Sequence, residues 1–148
     1  MKPDISAVLS DITTRLVAEI APNVQPAYLA SSLGLSAGLL SAINEEFERA
    51  AHRRVEENAA IRKLFAEAGG LQLPMDLAAR LTSLAARPDT DLRVSALDST
   101  NAELRGALIE LQTALEALEG PEAKALDTAI WAELAASTQR RKLAAGNF

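Results

Sequence analysis

TNAELRGALIELQTALEAL, residues 100–118, decides the fold class. Leu104, Leu108, Leu111, Leu115 and Leu118 recur four and three residues apart, which lines them along one side of a helix. A half-buried strand would alternate apolar and polar residues at every second position, and no segment of the chain sustains that period. Thr100 followed by Glu103 has the spacing of a capping box, in which each side chain reaches the other residue's backbone N–H. The pattern predicts a helix from about 100 to about 118.

The same period extends outward in both directions. Gly120-Pro121 combines a helix stop with a residue suited to a first helical turn. It opens a predicted helix over 122–143, with Leu126, Ile130 and Leu134 inward and Trp131 at the edge of that face. Upstream, a short helix over 75–86 carries Leu77, Leu81 and Leu84. Arg87-Pro88-Asp89 breaks it, and a short turn of helix holds Leu92 and Leu97. The longest predicted helix covers 37–68, with Leu40, Ile43, Phe47 and Ala50 early in its stripe and Ile61, Leu64 and Phe65 late. Pro26 starts, and Gly34 stops, a short helix over 26–33. The first helix covers 4–20, is capped by Asp4, and is lined by Ile5, Leu9, Ile12 and Leu16.

The expected fold is therefore an all-α, single-domain antiparallel bundle over residues 1–148. Four long helices (4–20, 37–68, 100–118 and 122–143) form the core, and two short ones connect or cap it. Residues 1–3 and 144–148 are expected to fray.

Composition narrows the chemistry. The 148 residues include no Cys and one His. That excludes disulfides, thiolate metal sites, cysteine nucleophiles and multi-histidine metal centres. Net charge is −5, which opposes non-specific nucleic-acid binding. No apolar run follows Met1-Lys2-Pro3-Asp4, so no signal peptide and a cytoplasmic location are expected. The uncharged stretch 20–44 contains Pro22, Pro26, Gly34 and Gly38, and a soluble turn and helix are expected there rather than a membrane span.

Three features bear on function. Residues 25–43 have helix-turn-helix spacing: Leu29-Ala30, then Leu33-Gly34-Leu35, then Leu40 and Ile43. The outward positions of that second helix, from Ser36 to Asn44, hold no Lys or Arg, so a DNA-binding regulator is the alternative and not the main reading. Next, helical steps from Phe47 and Ala50 land on Arg54 and on Glu57 or Asn58 before reaching Ile61. A small-ligand-binding bundle would use such an interruption as a polar pocket, with Arg54 holding an anionic group and Asn58 orienting it. Finally, Leu33, Leu35, Leu39 and Leu40 fall within two turns and cannot all face one core, which points to an interface. His52 lies between Glu48 and Glu56 on a charged face with no nucleophile beside it. The five glutamates from Glu45 to Glu57 lack the paired Glu-x-x-His pattern of a carboxylate metal centre. No catalytic residue, metal ligand or cofactor site is assigned. The reading is a non-catalytic interaction or accessory module that forms a homodimer or binds a partner protein.

Glu19-Ile20-Ala21-Pro22 at the end of the first helix, the stretch 46–58, the closing residues 142–148 and the length together carry a family resemblance. The chain resembles small, all-helical, uncharacterised bacterial proteins found beside acyl-CoA dehydrogenases and aminoglycoside-phosphotransferase-like kinases. The resemblance implies an accessory role near acyl-CoA metabolism and names no catalytic residue.

Overall fold

The computed structural model describes residues 4–144, and every regular element in them is helical. Helix α1 is Ile5–Arg15; it continues into a π-helical segment, Leu16–Ile20, and a 3-10 turn, Ala21–Asn23. Helix α2 is Ala27–Glu67, followed by a 3-10 turn, Ala68–Gly70. Helices α3, α4 and α5 are Met75–Ala86, Val94–Glu116 and Pro121–Arg140. The all-α class is as the leucine spacing predicts. The tails predicted to fray, 1–3 and 145–148, lie outside the described residues. Ala144 lies inside them and is held: its N–H donates to both carboxylate oxygens of Glu45, at 2.8 and 3.0 Å.

Local signals explain several ends. Asp4 caps α1, its carboxylate accepting from Ala7 N at 3.1 Å. Gly120 takes a φ of +131° just before Pro121, a backbone shape that a side chain would strain.

Three expectations are corrected. The break between 26–33 and 37–68 does not exist, because α2 runs through Gly34 and Ser36 as one helix of 41 residues. Ser36 caps nothing; its hydroxyl donates to Ser32 O at 3.0 Å, four residues back inside the helix. A mid-helix glycine costs only about 1 kcal/mol, and the surrounding Leu and Ala outweigh it. A helix-turn-helix over 25–43 therefore lacks its turn. Helix α4 begins at Val94, so Thr100 lies within the helix and the capping-box match is coincidental. The third correction concerns which helices build the core. Helix α3 contributes the buried Leu81 and Leu84, whereas α1 buries no residue.

The chain divides into two compact units: residues 4–50 with 142–144, and Ala51–Arg141. In the first, α1 lies against the early part of α2. Asn44 Nδ2 donates to Ser6 O at 3.4 Å and Ser10 Oγ at 3.3 Å, and Ser6 donates to Glu48. Ala37 and Ala50 are the buried apolar residues among those described here. The second unit holds the apolar core. Ile61, Leu64 and Phe65 of α2 meet Leu81 and Leu84 of α3, the α4 seam, and Leu126 and Ile130 of α5. Leu104, Leu108, Leu111 and Leu115 of that seam are all buried, and Leu118 packs on the cluster just past the helix end. Each such side chain stabilises the unit by roughly 1.5–3 kcal/mol through its removal from water.

Candidate functional site

A polar network runs through the second unit where the apolar stripe of α2 is interrupted. Glu57 and Asn58 are buried at 1% and 0% exposure. Glu57 Oε1 accepts from Ser137 Oγ of α5 at 2.6 Å and from Arg141 Nε at 2.9 Å. Its Oε2 accepts from Arg141 Nη2 at 2.7 Å and from Asn101 Nδ2 of α4 at 3.4 Å. Asn101 also donates to Asn58 Oδ1 at 3.0 Å. The Asn58 amide nitrogen faces Asp89, with both carboxylate oxygens at 3.3 Å, and Leu97 O at 3.5 Å. Arg62 closes the chain with a two-pronged pair to Asp89, at 2.7 and 3.0 Å.

Electrostatics follow from this geometry. Burial alone pushes the Glu57 carboxyl up. The hydrogen bonds from Arg141 and Ser137 and the charges of Arg141 and Arg105 outweigh burial and hold it at about 2. The Arg62 pair is the main influence on Asp89 and keeps it below the ordinary aspartate value, against the opposing effect of burial. Both carboxylates are ionised at neutral pH, and each meets its counter-charge within the protein. The arrangement suits locking helices together in one register. A proton donor or acceptor working near neutral pH needs a less committed group.

The two residues proposed from sequence for a ligand are placed separately. Asn58 is spent on Asp89 and Asn101. Arg54 is half-buried and its Nε donates to Asp98, while its Nη1 is buried without a hydrogen bond. Four hollows on this unit have volumes of 60, 240, 390 and 410 Å³, and none of these four is walled by Arg54, Glu57 or Asn58. His52 is exposed on a charged face, 3.4 Å from Glu56.

Sequence reasoning reached Glu57 and Asn58 but missed Asn101, Ser137 and Asp89. Two of these had a signal. Asn101 stands four residues after Leu97 and three before Leu104, a polar residue on an apolar stripe. Ser137 falls seven after Ile130, on the same face of α5. Asp89 lies between elements, where periodicity carries no information.

The first unit presents the opposite chemistry. Tyr28, Leu35, Leu39, Ile43 and Phe47 of α2 are 52–70% exposed, and Ile5, Val8 and Ile12 of α1 are exposed by more than two-fifths. Of the four leucines read as an interface, Leu35 and Leu39 are exposed, and Leu33 and Leu40 are half-buried. By length and composition alone, α2 is also apolar enough to cross a membrane. Comparison with protein-family models, with curated proteins and with solved structures found no match.

Proposed function

We propose that this chain is a non-catalytic protein-interaction module that docks through the apolar surface of α1 and the first half of α2. One observation carries the reading: eleven large apolar side chains between Ile5 and Phe47 in the first unit stand in solvent, while the second unit closes over a leucine-rich core. Water-soluble monomers rarely leave many large apolar side chains bare on neighbouring helices, and surfaces that do are commonly binding surfaces. The second unit supports the reading as a stable carrier, since Glu57 and Asp89 are committed to structure.

Native-state binding of a hydrophobic dye tests it, alongside mass measured across the micromolar range. The module binds the dye or self-associates, and Ile43→Glu with Phe47→Glu abolishes either response while far-UV circular dichroism stays helical. A wild-type chain that stays monomeric throughout and binds no dye refutes the reading.

A further inference from the structure

We draw no further inference here: the strongest candidate, the groove between α2 and α5 walled by Ala60, Leu64, Ala129, Ala132 and Ala136, presents little but small apolar side chains, and nothing in the structure shows what covers it.

Discussion

Replacing Glu57 by glutamine keeps its shape and removes its charge, which isolates what the ionised carboxylate does inside the second unit. In the native chain that carboxylate accepts from Ser137, from Arg141 twice and from Asn101, at 1% exposure. A fall from the ordinary value of 4.5 to about 2 corresponds to roughly 3 kcal/mol of stability. Arg141 is 41% exposed, so water screens part of the pair and a loss of about 2–3 kcal/mol at neutral pH is the expected figure. The sign is fixed by the direction of the shift. A carboxyl whose value is lowered on folding contributes fully above about pH 4.5 and loses that contribution as pH falls toward 2. Wild type should therefore lose stability steeply across that window, and Glu57→Gln should lose less. Urea unfolding followed by far-UV circular dichroism at neutral and acid pH measures both. A glutamine variant within about 0.5 kcal/mol of wild type at neutral pH refutes the reasoning, and so does a gap that stays constant down to pH 2.

Gly34→Ala should raise stability by about 0.5–1 kcal/mol, because Gly34 is mid-helix with open space where a Cβ would stand. A turn at that position would reverse the sign of the change in urea midpoint. Leu104→Ala removes a fully buried side chain of the α4 seam and should cost about 2–5 kcal/mol in the same assay. Trp131 is 59% exposed, so acrylamide should quench its fluorescence nearly as well in the native protein as in urea. A strongly protected native signal contradicts that placement.

The leucine spacing of 104–115 made both the fold class and the central seam legible, because four burials in one phase leave few alternatives. The limits of α3 were equally readable, set between Pro74 and Arg87-Pro88. Breaks that rested on glycine and serine alone were not. Gly34 and Ser36 favour a turn by only about 1 kcal/mol, and the long-range packing along α2 is invisible in a local window. The polar interruption of α2 was legible as an anomaly at Arg54, Glu57 and Asn58. Its partners were not, since Ser137 and Arg141 lie 80 and 84 residues away from Glu57. Spacing within one helix cannot tell whether a buried acid is met by a ligand or by another helix of the same chain.

That separation in sequence has a consequence for how the second unit is made. Glu57 leaves the ribosome long before the residues that neutralise it. Without α5, closing α2, α3 and α4 over that position leaves Glu57 with Asn101 and the charge of Arg105 but without its Ser137 and Arg141 donors, so burial then favours a protonated acid or a wet cleft. Tight burial of the charged acid is therefore tied to the docking of α5. The same logic forbids α5 from peeling away by itself once assembly is done, so the four helices should come apart together, in one step.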